Sequence, residues 1–567
     1  AADFAGAEAL MAHAKAREEE NPQVNYLDGV IYKGAGKLGL AKDGFWYSLR
    51  FGGAKAPALV QLGEIAIHEK DYAEAANLLR RTVGYNPDDG VAMSDLAVAL
   101  RLGGRLDEAS KVINEAVEKM PILPYALAEK WHTEQALGDN AATQEAAEVF
   151  KKTVGYRSQG YLEAGAWYRR LGDLTSSTSV LQTAAKNLAA NEVSPLIYYY
   201  LAANAWDEGH AGQAATAVSE AMKANVEAVF PNRPEDANVL REVLAHNSSD
   251  AHAKYFLGNF LFAHSHYAEA ADLWKQAVGE GFHYAVLYRN LGVYALNVQH
   301  DPAGAAAYYA EAVKRAPNDY RLYVSLDEVY TQLGKTGERE KLFAGAPPEV
   351  LGQNAVRNRR VLLDVQEWRF DDALNVLRGY NFKAAEGGRI SHELFVLAKV
   401  QKGRAAFSAR QFGAAEGSFR AALEYPRNLA VGKPEHPQEE EVLYWLGQAL
   451  NAQGKKSEAR DAWQKCVDEM RAGEGETEDG VNGPSRFYAA LAMERLGQTE
   501  EASRILDQLA GEPAAGHKSA DDYYLSGLVA DYRKQDGQAA SDFRRALELD
   551  PGLWQARLEL HRKNASE

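Results

Sequence analysis

The sequence of 567 residues is short of cysteine, of long apolar runs and of clustered positive charge, and each shortage excludes a class of protein. Its single cysteine, Cys466, rules out an intramolecular disulfide framework. No run of 18 apolar residues occurs, so the sequence predicts no transmembrane segment. The formal net charge is −16 and the lysines and arginines are scattered, so we do not expect a nucleic-acid partner.

The motifs of common catalytic and metal sites are missing as well. There is no His-Glu-x-x-His zinc motif, no phosphate-binding P-loop and no Gly-x-Ser-x-Gly nucleophile motif. His264 and His266 are two positions apart, so on a helix they would point to nearly opposite sides rather than share a metal ion. We therefore predict no catalytic residue, no metal ligand and no cofactor, and interpret the chain as non-enzymatic.

What the sequence does contain is a repeat with a fixed step of 34 residues. Small residues recur on this step between residues 22 and 184, with Trp131 in one degenerate unit: Gly29, Gly63, Ala97 and Gly165. In the repeat that contains Gly63, a small residue follows after 12 positions, a large one after 16 and another small one after 19. These residues are Ala75, Leu79 and Thr82. Two antiparallel helices approach closely only where small side chains face each other, and the large residue fills the gap beside them.

This step and this spacing are typical of tetratricopeptide repeats. The pattern loosens near Phe230-Pro231, resumes at Gly258 and continues with irregular loops to the end of the chain. No segment alternates with a period of two residues, so no β-strand is expected. We predict an all-α, right-handed superhelical solenoid of about 13 helix pairs with a break near residues 225–250.

The interruptions of the pattern divide the chain into four segments. We expect a regular array with a leading helix at 1–224, an insertion at 225–250, a middle array with irregular loops at 251–438, and a C-terminal array with a capping helix at 439–567. The long polar loop Arg427 to Gln438, with Gly432 inside it, ends the middle array.

Several irregular stretches also resemble one bacterial family. They are Phe230-Pro231-Asn232-Arg233, Tyr255-Phe256-Leu257-Gly258-Asn259, Arg289-Asn290-Leu291-Gly292, Glu386-Gly387-Gly388 and Glu424-Tyr425-Pro426-Arg427-Asn428-Leu429-Ala430-Val431-Gly432-Lys433-Pro434. Its members join an N-terminal β-rich domain of unknown function, with a carbohydrate-enzyme-like architecture, to a long C-terminal repeat half. The resemblance implies that any carbohydrate chemistry belongs to that domain, and that this chain is an accessory half contributing glycan or substrate binding.

The candidate partner-binding groove lies on the first helices of successive pairs, which line the concave face of such a solenoid. Its residues are Asn259, Arg289, Asn290 and Arg321. Repeats that clamp a C-terminal carboxylate carry Asn, Lys and Arg at such positions, but here Tyr255 and Ser325 replace two expected basic residues. Asn also bonds backbone between helices in ordinary repeats, so both interpretations stay open.

These patterns predict a scaffold that binds a protein or peptide, or assembles, through its groove or its solenoid ends. Partners include a second copy of the chain or the β-rich domain, and the alternative function adds a glycan. We expect any specific site between Asn259 and Arg321 or beside the Gly387 and Gly432 loops. The start at Ala1 rather than Met favours a periplasmic or extracellular location over the cytoplasm.

Overall fold

A computed structural model describes residues 4–50, 55–384, 389–473, 483–511 and 518–564. The Glu386-Gly387-Gly388 stretch lies outside these ranges. Within them every regular element is helical, which confirms the predicted all-α class. None of these helices is both long and apolar enough to cross a membrane.

The chain forms two compact units, Ala1–His283 and Tyr284–Glu567. The described helices of the first unit are α1 (Phe4–Arg17), α2 (Pro22–Gly34), α3 (Leu38–Arg50), α4 (Lys55–His68), α5 (Tyr72–Tyr85), α6 (Gly90–Leu102), α7 (Leu106–Lys119), α8 (Pro124–Leu137), α9 (Asn140–Val154), α10 (Ser158–Leu171), α11 (Leu174–Asn187), α12 (Pro195–Asp207), α13 (Ala211–Ala221), α14 (Pro234–His246), α15 (Ala251–Ala263) and α16 (Tyr267–Gly279).

The second unit continues the same arrangement. Its described helices are α17 (Ala285–Asn297), α18 (Pro302–Arg315), α19 (Tyr320–Gln332), α20 (Thr336–Ala344), α21 (Pro348–Leu351), α22 (Asn354–Gln366), α23 (Phe370–Arg378), α24 (Ile390–Ser408), α25 (Phe412–Ala422), α26 (Glu440–Ala452), α27 (Lys456–Gly473), α28 (Gly483–Leu496), α29 (Thr499–Ala510), α30 (Ala520–Tyr532), α31 (Asp536–Leu549) and α32 (Trp554–Asn564), with one 3-10 turn at Arg427–Leu429.

Helix pairing is the organising contact of both units. Apart from α1, α14, α21 and α32, consecutive described helices form pairs, and the second helix of a pair commonly packs against the first helix of the next. We call the side of a unit formed by the first helices its inner face. These pairs confirm the helical-repeat architecture that the 34-residue step predicts.

The small-to-large spacing of the sequence is the contact between the two helices of a pair. A Cβ atom added at Gly63 would lie 2.6 Å from Leu79 Cγ, and one at Gly403 would lie 2.5 Å from Phe419 Cε1. The same offset of 16 residues joins Gly29 to Phe45, Gly165 to Leu181, Gly258 to Trp274, Gly447 to Trp463 and Gly527 to Phe543. Glycine is therefore required at these positions by close approach, because any side chain there would overlap the large residue of the second helix.

Helix ends follow the local rules for capping. Gly138 and Gly172 end α8 and α10 with φ of 80° and 79°, the left-handed conformation that glycine adopts without steric cost. The aspartates that follow them cap the next helices: Asp139 accepts hydrogen bonds from the amides of α9, and Asp173 accepts one from the amide of Ser176. These contacts fix the turn within each pair.

The segment predicted as an insertion contains one helix, α14. It packs against α12 and α15, so it belongs to the first unit, whose boundary lies at His283. Its start is fixed by Asp236, whose carboxylate accepts hydrogen bonds from the amides of Asn232 and Arg233 at 3.0 and 3.1 Å. The four-segment division made from the sequence is finer than the two units and stays a prediction.

Candidate functional site

The residues predicted to form the partner-binding groove fall on three first helices. Asn259 lies half-buried on α15 in the first unit. Arg289 and Asn290 lie on α17 and Arg321 lies on α19, all in the second unit. Of these three, both arginines are exposed and Asn290 is half-buried.

In the second unit, Arg321 pairs with a carboxylate that also feels the charge of Arg289. The Arg321 guanidinium makes a two-pronged ion pair with Asp319, with Nε–Oδ1 and Nη2–Oδ2 distances of 2.8 Å. Arg321 holds the pKa of Asp319 below its usual value, and Arg289 lowers it further. Arg289 also lies 3.5 Å from the amide oxygen of Asn290. Here a carboxylate of the chain itself stands beside the predicted basic pair.

The inner face of the first unit is filled by its own side chains. Arg170 on α10 reaches back to Glu64 on α4, three pairs earlier, with an Nη2–Oε1 distance of 3.2 Å. Glu64 also pairs with Lys33 on α2. Trp167, one turn before Arg170, donates its indole N–H to Asp95 on α6 at 2.7 Å. First helices separated by two or three pairs are therefore joined directly.

A second buried cluster joins α6, α8 and α10. Arg101 makes a two-pronged ion pair with Glu129 at 2.7 and 3.0 Å and reaches Asp173 at 2.7 Å. Tyr168 donates its hydroxyl to the same Glu129 carboxylate at 2.8 Å, and its oxygen lies 3.1 Å from His132 Nδ1. Burial lowers the pKa of His132 to about 4, so this imidazole is neutral at physiological pH.

Helix α14 adds to this inner face. Arg169 and Arg170 of α10 contact its Glu242 and Glu235 at 3.0 and 3.5 Å. On α12, Tyr200 donates its hydroxyl to Asp236 at 2.8 Å. The inserted helix therefore covers the first helices α10 and α12 instead of continuing the paired pattern.

The C-terminal helix α32 occupies the inner face of the second unit. Its Leu558 is buried in an apolar cluster with Val361, Leu362 and Val365 of α22. Arg404 on α24 forms a two-pronged ion pair with Glu559 on α32, at 2.8 and 3.3 Å. The sequence indicated only a cap on the last pair. Helix α32 does pack on α31, and it also reaches helices nearly two hundred residues earlier.

The long polar loop between α25 and α26 is held in place by specific hydrogen bonds. Asn428 donates its amide N–H groups to the carbonyls of Leu377 and Tyr380 at 2.8 and 2.9 Å. The ring of Tyr425 stacks on His392 with a centroid distance of 3.9 Å. Irregular backbone is normally mobile unless such contacts fix it. This loop is therefore an ordered part of the second unit.

A cavity of about 480 Å³ lies between this loop and α27. We call it the loop pocket, and its ionisable lining residues are Lys433, Glu435, His436, Glu440, Lys465, Asp468 and Glu469. Four carboxylates thus face two lysines and one histidine. Burial raises the pKa of both Glu440 and Glu469, although Lys465 lies 3.4 Å from Glu469 and opposes the shift there.

The sequence predicts the loop between α25 and α26 but does not predict that side chains of the chain fill the inner faces. Gly432 and its neighbours predict an irregular loop. The expectation of a site there therefore rested on residues that are adjacent in the sequence. The pair Glu64 and Arg170 has no such signal, because the residues are 106 positions apart and neither falls on the repeat step. Likewise, Leu558 of α32 packs on α22, whereas Ala556 and Leu560 of the same helix pack in the cluster that contains Phe543 of α31.

Three solved structures match this chain at low sequence identity and low TM-score. The Naa15/Naa10 complex bound to HypK-THB matches over 100% of this chain and 89% of the matched chain, at 14% identity with a TM-score of 0.27. The APC/C hetero-tetramer Cut9-Hcn1 matches over 91% and 97%, at 14% identity and a TM-score of 0.24. MamA matches over 36% and 96%, at 17% identity and a TM-score of 0.20.

Family models of the tetratricopeptide repeat match the chain in two places. One covers residues 66–122 in the first unit and the other covers residues 400–469 in the second. Neither match concerns a β-rich domain or a glycan, so the link to the bacterial family and the glycan-binding alternative stay predictions. The chain carries tetratricopeptide repeats, arranged as an α-solenoid of helix pairs.

Proposed function

We propose that the chain is a non-enzymatic scaffold that binds a protein partner through the loop pocket. The observation that carries this proposal is a 480 Å³ cavity walled by a fixed loop and rich in carboxylates. Tetratricopeptide repeats in both units support the protein-binding part, since stacked helix pairs present long surfaces to other proteins. The inner faces described above are occupied by the chain itself, which favours a site on the irregular segments.

The chemistry of the pocket fits a lysine or arginine side chain of the partner. Pro437 and Ala472 offer apolar surface for the alkyl stem, while the carboxylates of Glu469 and Asp468 can meet the cationic head. A further cation there would favour the charged form of Glu469, whose pKa is raised by burial. The net charge of −16 would also attract a basic segment over a longer range.

Charge reversal tests the proposal directly. The chain carrying Glu435→Lys and Asp468→Lys is compared with the wild type in affinity capture from cells of the source organism. The matched control is Asp272→Lys, at an exposed position on α16. We expect a protein that is retained by the wild type and the control and lost by the pocket variant. Equal retention by all three chains would contradict the assignment of the site.

A second measurement identifies the chemistry on the partner. Synthetic peptides covering the captured protein are titrated by fluorescence anisotropy, with each lysine or arginine replaced by alanine in turn. Loss of one basic residue should weaken binding by about tenfold, the effect of removing one charge-assisted contact. Tight binding that is insensitive to every basic residue would exclude a cation in the pocket.

The predicted groove residues are a second proposed contact, for a peptide carboxylate. The observation that favours it is the two-pronged ion pair of Arg321 with Asp319, a carboxylate whose pKa the charge of Arg289 also lowers. Within the second unit, the residues in this proposal are Arg289, Asn290 and Arg321. A peptide with a free C-terminus should bind more tightly than its amidated form, and equal affinities of the two peptides would contradict the proposal.

A further inference from the structure

A second cavity, of about 120 Å³, lies where the C-terminal helix meets the rest of the second unit. We call it the seam cavity, and it is bounded by α19, α20, α22 and α32. Lining residues with polar side chains include Thr331, Arg339, Gln366, Glu367, Arg557 and His561. It has no connection with the loop pocket, since the two cavities share no lining residue.

Positive charge is in excess around the seam cavity. The buried carboxylate of Asp327 is shared by two guanidiniums: Arg339 at 2.7 and 3.3 Å, and Arg359 at 2.5 Å. A third guanidinium, Arg557 on α32, makes no ion pair with any residue of the described ranges. Burial and the neighbouring charge of Arg339 lower the pKa of Arg557.

Two donors at the cavity have no partner. Among the described residues, the Nε of Arg557 and the amide nitrogen of Gln366 are buried without a hydrogen bond. Gln366 is only 8% exposed, and its amide oxygen already accepts from Arg339 Nη1 at 2.5 Å. Leaving a buried donor unsatisfied destabilises the folded state, and more so when the donor is charged. Such groups call for an acceptor that the chain does not supply.

We infer that the seam cavity binds a small oxyanion of the phosphate or sulfate class. An anion there would accept from Arg557 and Gln366 and would compensate the excess charge on Arg339. The volume is about that of four liquid waters, which accommodates one tetrahedral oxyanion. The carboxylate of Glu367, which accepts from the Thr336 hydroxyl at 3.2 Å, is exposed and lies at the rim.

Such an anion would join two parts of the second unit. Arg557 belongs to α32, whereas Gln366 and Arg339 belong to α22 and α20. A ligand held by both sides stabilises the docked position of α32, because binding to the native state alone adds to its stability. The site therefore couples anion concentration to the attachment of the C-terminal helix.

The test uses the full chain and inorganic phosphate, titrated by calorimetry and followed by thermal unfolding at constant pH and ionic strength. We expect saturable binding and a rise in Tm with phosphate that sodium chloride does not reproduce. Arg557→Gln should weaken phosphate binding at least about tenfold. The matched control, Arg545→Gln, changes an exposed arginine on α31 that pairs with Glu548, and should bind phosphate as the wild type does.

The variant itself should fold, since it removes a half-buried guanidinium that has no ion-pair partner in the described ranges. Without phosphate, Arg557→Gln should therefore unfold at the same temperature as the wild type or higher. Phosphoserine serves as a second probe: binding of phosphate alone indicates a free anion, and binding of both indicates that a phosphoryl group on a side chain also enters. Absence of phosphate binding by the wild type, or equal binding by Arg557→Gln, would overturn the inference.

Discussion

Arg404 and Glu559 form a buried two-pronged ion pair although they are 155 residues apart in the sequence. Burial alone would raise the pKa of Glu559, but the guanidiniums of Arg404 and Arg562 lower it to about 2. The Arg404 guanidinium also lies 5.2 Å from the centre of the Trp445 ring. This pair fixes the C-terminal helix on the inner face of the second unit.

Removing one partner of this pair should strongly destabilise the second unit. Glu559→Ala leaves Arg404 buried without its main counter-charge, and we expect a loss of about 3–5 kcal/mol in the free energy of unfolding. Urea unfolding measures it, with Glu548→Ala on the exposed face of α31 as the control. The double variant Arg404→Met with Glu559→Leu should recover most of the loss, and no recovery would contradict this account.

The buried carboxylate of Asp95 should make stability depend on pH. Burial and the nearby charge of Glu64 raise its pKa to about 8, and one of its oxygens lacks a hydrogen-bond partner in the described structure. A carboxyl group whose pKa is raised in the folded state keeps its proton while the unfolded chain loses it. Its contribution to stability is therefore full below about pH 4 and is lost as pH rises to about 8.

Asp95→Asn removes this titration and tests the prediction. The gain in unfolding free energy of the variant over the wild type should grow between pH 5 and pH 8 by more than about 1 kcal/mol. Asp272→Asn, at an exposed position, is the control and should give a constant difference. A flat difference for Asp95→Asn over this range would show that the carboxyl group is already ionised at pH 5.

Two glycines near the same helix pair should respond in opposite directions to alanine. Gly403 faces Phe419 so closely that a Cβ atom would overlap the ring, and Gly403→Ala should cost about 1–3 kcal/mol. Gly413, inside α25, has no atom within 4 Å of the added Cβ. Gly413→Ala should be neutral or stabilise by up to about 1 kcal/mol. Thermal unfolding of the two variants tests this prediction. Equal changes in stability for Gly403→Ala and Gly413→Ala would contradict the close contact of Gly403 with Phe419.

The loop between α25 and α26 should depend on one side chain. Asn428→Ala removes both hydrogen bonds to the carbonyls of Leu377 and Tyr380, at a cost of about 1–3 kcal/mol in local stability. Hydrogen exchange of residues 427–438 should speed up while the helices of the first unit keep their protection. Binding of the captured partner should weaken in parallel, and an unchanged exchange pattern would show that other contacts hold the loop.

How far the sequence predicts the molecule depends on the distance between interacting residues. The contact of Gly63 with Leu79 follows from spacing alone, because residues 16 positions apart in a helix pair meet wherever the repeat is regular. The loop pocket was indicated by Gly432 and the break in the pattern, though its acidic lining was not. The pairs Glu64–Arg170 and Arg404–Glu559 have no periodic signature, so only the folded chain reveals them.

The link between Arg170 and Glu64 has a consequence for how the first unit unfolds. In a regular repeat array each pair contacts only its neighbours, so that terminal pairs fray independently of the middle. Here, the first helices α4 and α10 are three pairs apart and share the ion pair of Glu64 with Arg170. The indole of Trp167 on α10 also donates a hydrogen bond to α6, a first helix between these two in the sequence. Opening any one of these pairs disturbs the others. We expect residues 55–171 to exchange their amide protons as one cooperative block, unlike a chain of independent modules.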